Sequence, residues 1–404
     1  MSDTRASDAG PFGAHLPSRP RAGSDDDTRG LRAALPRIGR IPLRAEPARP
    51  DGRLLPPHGT HEPAGAGALR GRGPSGGGDP DGDPLRPARG RDDSERPNFD
   101  LHVPPDGYAW WYVDGISDDG ERAISIIGFI GSVFSPWYRW SGRKNPADHC
   151  CLNVATYGRG GRWTMTDRGH QALTLERDGI HIGPSSMRWE NGALVVDIDE
   201  MSWPHLHRLK GRVTLHPQAV TSVELPLTDE GTHVWRPFAP DARIEVALER
   251  PGWSWSGHGY FDANFGTRAL EQDFSFWTWG RYPTRKGALT FYDAARRDGT
   301  ELGVAVSFEK ERAEVVEAPP RTPFRRSLWT VRRETRADPG TRPRQVKAML
   351  DAPFYCRSAV ETVVNGERTV GVHEALDLNR FASPLLKPML AVKVPRRPRW
   401  APRG

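Results

Sequence analysis

Between residues 233 and 282 the chain gathers histidine, tryptophan, tyrosine and aspartate at two-residue spacings. His233 and Trp235 form one such pair, and His258, Tyr260 and Asp262 form a run. On a strand, residues two apart share a face, so His258, Tyr260 and Asp262 point one way and Phe261 the other. A carboxylate set among aromatic rings is poorly solvated. Its pKa rises, and it keeps its proton near neutral pH. A protonated acid facing an apolar space is a proton donor. Electron-rich Trp and Tyr faces can steady the cation that such a donation leaves. The plainer reading is that the rings fill a barrel core while Asp262 caps a turn, and composition alone favours it.

Other constellations are weaker. Gly158-Arg159-Gly160-Gly161 lacks the order of a phosphate-binding loop and reads as a hairpin turn. His205 and His207, with His149-Cys150-Cys151, have no third ligand at a recognisable metal-site spacing. Three cysteines are too few for a disulfide framework, and a reduced cytoplasmic setting is expected. No Gly-x-Ser-x-Gly elbow is present between residues 96 and 404. No cofactor and no metal are expected.

The elements that must hold these residues read as strands. Arg212 to His216 alternates, and so do Ile244-Val246-Leu248, Leu302-Val304-Val306-Phe308 and Val346-Ala348-Leu350. One apolar face with period two marks half-buried antiparallel strands. Glu190-Asn191-Gly192 and Val364-Asn365-Gly366 are tight-hairpin signals between them. Convincing amphipathic helical windows are nearly absent, so the fold class is all-β, a sandwich or barrel. A faint echo links Gly107–Gly115, an aromatic run carrying Asp114, with Gly257–Asp262 about 150 residues later. Two related barrels would account for it.

Composition sets the limits of the folded part. The chain has 404 residues with 43 Gly, 38 Pro and 14 Trp. Gly, Pro and Arg crowd into the first 90 residues, which contain no Trp, and such a segment cannot offset its ordering entropy by burial. Residues 1–95 are therefore expected to be a disordered tail. No apolar run is long enough to span a membrane. The net charge of +6 comes from the two ends, the body between them being mildly acidic. A nucleic-acid binder would carry a basic stripe on its body, so no nucleic-acid partner is expected. Residues 383–404 mix Lys387, Lys393, Arg396, Arg397, Arg399 and Arg403 with Leu385, Leu386, Met389 and Leu390. That mixture suits either contact with an anionic membrane surface or a frayed, solvated terminus.

Several long strings resemble the bacterial acyclic carotenoid 1,2-hydratases, also called hydroxyneurosporene synthases. They are Phe99 to Asp114, Ile126 to Tyr138, Asp148 to Ala155, His258 to Gly266 and Leu378 to Pro384. The resemblance covers most of residues 98–400. It implies two lipocalin-like antiparallel β-barrels packed side by side, here 96–249 and 250–382. It also implies cofactor-free addition of water to the end group of an acyclic C40 carotenoid such as neurosporene, lycopene or their mono-hydroxy derivatives. The family's functional set falls on His233, Trp235, Tyr260 and Asp262. On that reading Asp262 protonates the terminal double bond, Trp235 and Tyr260 steady the tertiary cation, and His233 orients water and takes its proton. The roles of Asp262 and His233 could also be exchanged. A lipid-dissolved substrate further implies an enzyme seated at the surface of the inner or photosynthetic membrane. A polyene cyclase or isomerase of the same fold is one alternative, and a non-catalytic carrier of apolar ligands is another.

Overall fold

In a computed structural model, the structure describes residues 96–310 and 312–399. The expected tail at 1–95 lies outside the described residues. The described chain is built mainly of strands, nearly all paired antiparallel, as the alternation predicts. In the larger sheet Cys150–Tyr157, Ala123–Ile130, Tyr108–Ser117, Trp253–Gly266, His233–Arg250 and Arg208–Pro217 lie side by side. Ala193–Met201, Ser185–Glu190, Gly179–Ile182 and Leu173–Glu176 then follow as a meander.

Alternation along these strands sorts the side chains onto two faces. Trp111, Val113, Ile126, Val213, Leu215, Ile244, Val246 and Phe261 share one buried cluster. The sheet rolls around that cluster. A Cβ on Gly128 would come within 2.9 Å of Met187 Sδ, although their strands stand far apart in sheet order. Each large apolar side chain buried here contributes roughly 1.5–3 kcal/mol.

The opposite face of the same strands carries Tyr108, Tyr112, Phe129, Trp235 and Tyr260. These pack against the second sheet, whose order is Arg312–Val316, Glu301–Glu309, Gly287–Arg296, Phe274–Thr284, Glu367–Asp377, Tyr355–Val364 and Arg344–Asp351. Trp277, Trp279, Tyr292, Val372 and Leu376 are its contributions to the shared layer. The aromatic residues therefore form a seam between two sheets.

Two expectations change. The sheets divide at the short Leu270–Asp273 helix, not at residue 250, because Trp253–Gly266 pairs with both Tyr108–Ser117 and His233–Arg250. The echo strands are immediate antiparallel neighbours in one sheet, with Tyr112 opposite Asp262 and Asp114 opposite Tyr260. They look alike because both present aromatic residues to the same second sheet.

The turn signals hold. Asn191-Gly192 and Asn365-Gly366 all have positive φ, and each joins adjacent strands as a two-residue hairpin. The alternation at Val346-Ala348-Leu350 does not mark a buried face. Arg344–Asp351 is an edge strand with two irregularities in its pairing, and Val346 is exposed.

The C-terminal segment is docked. Arg396–Arg397 adds a parallel edge strand beside Asp167–Arg168. Arg396 pairs with the buried Asp167, and Trp137 Nε1 donates to the Val394 carbonyl at 2.7 Å. Lys387 is buried against the Phe381 ring, and burial pulls its pKa down to about 7. The frayed-terminus reading is thereby corrected for residues up to 399. Lys387 and Arg396 also drop out of any free basic surface.

Candidate active site

Asp262 lies in the seam, 4% exposed. Trp235 Nε1 donates to its Oδ2 at 2.8 Å, and the Tyr260 hydroxyl donates to the same oxygen at 2.7 Å. Trp235 reaches it from the adjacent strand, at a stretch where the pairing between His233–Arg250 and Trp253–Gly266 slips twice. Tyr260 reaches it from two residues back on the same face, as period two requires. The other oxygen, Oδ1, is buried with no hydrogen-bond partner among the described residues.

The electrostatics follow from this arrangement. Burial raises the Asp262 pKa to about 8, against the opposing pull of the Tyr260 and Trp235 hydrogen bonds. The charges of Glu374 and Asp114 push it further up. At neutral pH the carboxyl therefore holds its proton in an almost dry setting. Both donors converge on Oδ2, so the proton belongs on Oδ1, the oxygen left free.

Rings surround this acid. Tyr260 lies 5.1 Å from Trp279 and 6.1 Å from Tyr112, while Trp235 lies 5.5 Å from Tyr292. Trp277 stands 5.9 Å from Tyr292. Burial holds the phenols of Tyr112, Tyr260 and Tyr292 well above their usual pKa, so they remain neutral donors. Trp279 Nε1 is another buried polar atom with no partner among the described residues.

His233 is on the same face but elsewhere. It pairs with Gly266, four residues along the strand from Asp262, which is about 13 Å at ~3.3 Å per residue. Both of its ring nitrogens are engaged. Nε2 lies 2.7 Å from Asp273 Oδ2 and Nδ1 lies 2.9 Å from the Tyr108 hydroxyl. Burial lowers the His233 pKa in spite of Asp273, so the ring is neutral. Partial burial pushes Asp273 up, but its bonds to His233 and Arg268 hold it well below the carboxylate range. The neutral ring thus donates Nε2–H to Asp273 and accepts from Tyr108 at Nδ1. Gly266 makes this contact possible, since a Cβ there would stand 2.2 Å from the Tyr108 ring. Asp262, Trp235 and Tyr260 are brought together, and His233 is built into a neighbouring clamp.

Sequence reading missed the partners that arrive from other strands. Asp114 accepts from Tyr112 at 2.8 Å and from the buried Arg281. Glu374 and Arg357 pair at 2.6 Å beside Tyr112. Asp114 stood out in the echo, but nothing in the spacing linked Glu374 or Arg357 to it. His149-Cys150-Cys151 breaks up in the fold. Cys150 and Cys151 belong to opposite clusters, and His149 faces Asp167.

A cavity of about 500 Å³ opens beside the seam. Tyr355 and Arg357 are part of its wall, as are Trp203, Trp329, Met389 and Leu390. Asp262 does not line it. Tyr112, packed under the Arg357 guanidinium at 5.1 Å and against Tyr260, lies between the two.

The family model described as carotenoid hydratase CrtC matches residues 126–403. The acyclic carotenoid 1,2-hydratase of Cereibacter sphaeroides is 63% identical over 279 residues, which cover 68% of this chain and 99% of that protein. The acyclic carotenoid 1,2-hydratase of Thiocapsa roseopersicina is 43% identical over 389 residues, covering 94% of this chain and 95% of that protein. Among solved structures, one assigned to AttH from Nitrosomonas europaea aligns with a TM-score of 0.48 and 13% identity, over 67% of this chain and 92% of its own. With 278-residue-scale agreement to the family model and near-complete alignment to its curated members, the chain belongs to the carotenoid hydratase family, enzymes of the hydro-lyase class.

Proposed function

We propose that this enzyme adds water across the terminal 1,2 double bond of acyclic C40 carotenoids, such as neurosporene, lycopene and their mono-hydroxy derivatives. The products are tertiary 1-hydroxy carotenoids, and no cofactor takes part. One observation carries the reading: a buried carboxyl with a pKa near 8, a free Oδ1 and a surround of aromatic faces. An isolated trisubstituted alkene is unpolarised, and only a strong, well-placed acid protonates it. Asp262 gives its proton to C2, and the π electrons form the new C–H bond. The tertiary cation left at C1 lies among the faces of Trp235, Tyr260, Trp279 and Tyr292. Trp235 and Tyr260 meanwhile hold the carboxylate that remains. Water captures C1. His233 acts as a positioning residue that fixes Tyr108, since neither of its nitrogens is open to water.

The cavity supplies a path for a hydrocarbon rod. Its rim carries the exposed side chains of Trp203, Trp329 and Met389, with Leu385 and Val392 close by in sequence. A membrane surface is the partner that suits this rim, through apolar contact more than through the docked basic residues. No helix of the described residues is long and apolar enough to cross a membrane.

Incubation with lycopene in oxygen-18 water tests the reading by mass spectrometry. A labelled tertiary alcohol is expected. An unlabelled isomer would indicate a cyclase or isomerase, and unchanged substrate a carrier.

A further inference from the structure

Capture of water leaves a proton that must go somewhere. His233 is committed at both nitrogens, and the Asp114 carboxylate is already held on one oxygen by the buried Arg281 and on the other by Tyr112. We infer that Glu374 is the base that takes the proton from the attacking water, so that the reaction runs between two carboxylates with the cation between them. This rests on the hydration reading above.

Glu374 lies in Glu367–Asp377, directly opposite Trp279 on one side and Arg357 on the other. It alternates with Val372 and Leu376, which belong to the seam, so its side chain faces Asp262 from the second sheet. Arg357 Nε donates to Glu374 Oε1 at 2.6 Å. The Arg357 guanidinium also lies over the Tyr112 and Tyr355 rings at 5.1 and 5.6 Å. Tyr112 stands opposite Asp262 in the strand pairing. Arg357 and Tyr355 form the cavity wall, so Glu374 stands where the cavity approaches the aromatic seam. The Glu374 charge is felt at Asp262, Tyr292 and Tyr112. Next to Glu374, the unpartnered Nε1 of Trp279 offers a donor to the water or to the nascent hydroxyl. A carboxylate accepts about four hydrogen bonds, so Arg357 and Tyr355 leave Glu374 room for a water.

The step balances. Asp262 protonates C2 and becomes a carboxylate. A lone pair of water forms the C–O bond at C1, and the proton of the resulting oxonium passes to Glu374. A proton then returns from Glu374 to Asp262 through water, and the net change is addition of H₂O.

The test compares the full-length wild-type chain with Glu374→Gln and Asp262→Asn on lycopene in deuterium oxide, with folding checked by circular dichroism. Glu374→Gln should lose hydration by roughly 100-fold or more. It should still exchange deuterium into C2, because protonation and its reversal need only Asp262. Asp262→Asn should lose both. Glu374→Asp, with the same charge but shorter reach, should recover part of the hydration. Hydration by Glu374→Gln within about tenfold of wild type would overturn the assignment. So would loss of exchange together with hydration in folded Glu374→Gln protein. A wild-type chain that gives no alcohol would instead sink the hydration reading itself.

Discussion

The indole of Trp235 donates to Asp262 Oδ2 at 2.8 Å from a neighbouring strand, on the same oxygen that Tyr260 occupies. One carboxyl oxygen is thereby held and the other left to carry a proton. On the proposed mechanism this asymmetry directs the proton of a buried aspartate, which gives the first prediction. Asp262→Asn keeps the shape and both donors but has no proton to give. In bacteria that make lycopene it should yield no hydroxylated carotenoid, as read by chromatography of the pigments.

The acid must be protonated to act. Activity should therefore fall as pH rises through about 8, the value to which burial raises Asp262. A kcat profile from pH 6 to 9.5 checks this. Activity unchanged to pH 9.5 would remove Asp262 as the donor.

The same shift is linked to stability. Unfolded, this carboxyl titrates near 3.8, and folded near 8. Between those values the folded chain binds the extra proton, so stability falls as pH rises, by up to about 1.4 kcal/mol per pH unit. The contribution is fully present below about 3.8 and is lost by the time pH has passed about 8. Asp262→Asn should have a flatter dependence of Tm on pH than wild type between pH 5 and 8, measured by calorimetry.

Trp235→Phe keeps a ring and removes one donor from Oδ2. The carboxylate left by proton transfer loses that hydrogen bond, and kcat should drop on the order of 10²-fold. The alkaline limb should move to higher pH, because the Trp235 bond opposes the raised pKa. A limb that moves down would contradict the hydrogen-bond geometry.

Gly266→Ala places a methyl group 2.2 Å from the Tyr108 ring and 2.8 Å from His233 Nδ1. Backbone on both sides is locked into the sheet, so the rings must move. A loss of about 1–3 kcal/mol in denaturant titration is expected, with reduced turnover.

The rim of the cavity gives the last test. Removing residues after 382 would take away Val394 and Arg396, which are packed into the larger sheet, so truncation confounds binding with folding. Leu385→Asp with Met389→Asp alters exposed positions only. That double variant should sediment less with anionic vesicles than wild type. Equal sedimentation would argue against this face.

Much of the local geometry was legible because period two is a strong constraint. Tyr260 and Asp262 had to share a face and Phe261 had to oppose them, whereas composition alone favoured a turn-capping Asp262 and only its burial in the seam raises its pKa. His233 and Trp235 likewise had to share a face. The Asn-Gly hairpins were equally local, since their positive φ is set by residue type. What the sequence did not determine is which faces meet. The two echo strands looked like counterparts in separate domains and are instead paired neighbours. Asp262 opens onto a seam between sheets, where it meets residues of both, Tyr112 and Asp114 from its own sheet and Glu374 from the other. Only packing brings Glu374 and Arg357 there, and only packing occupies both nitrogens of His233. Spacing along one strand dictates direction, whereas pairing between distant strands is decided by how two apolar faces close on each other.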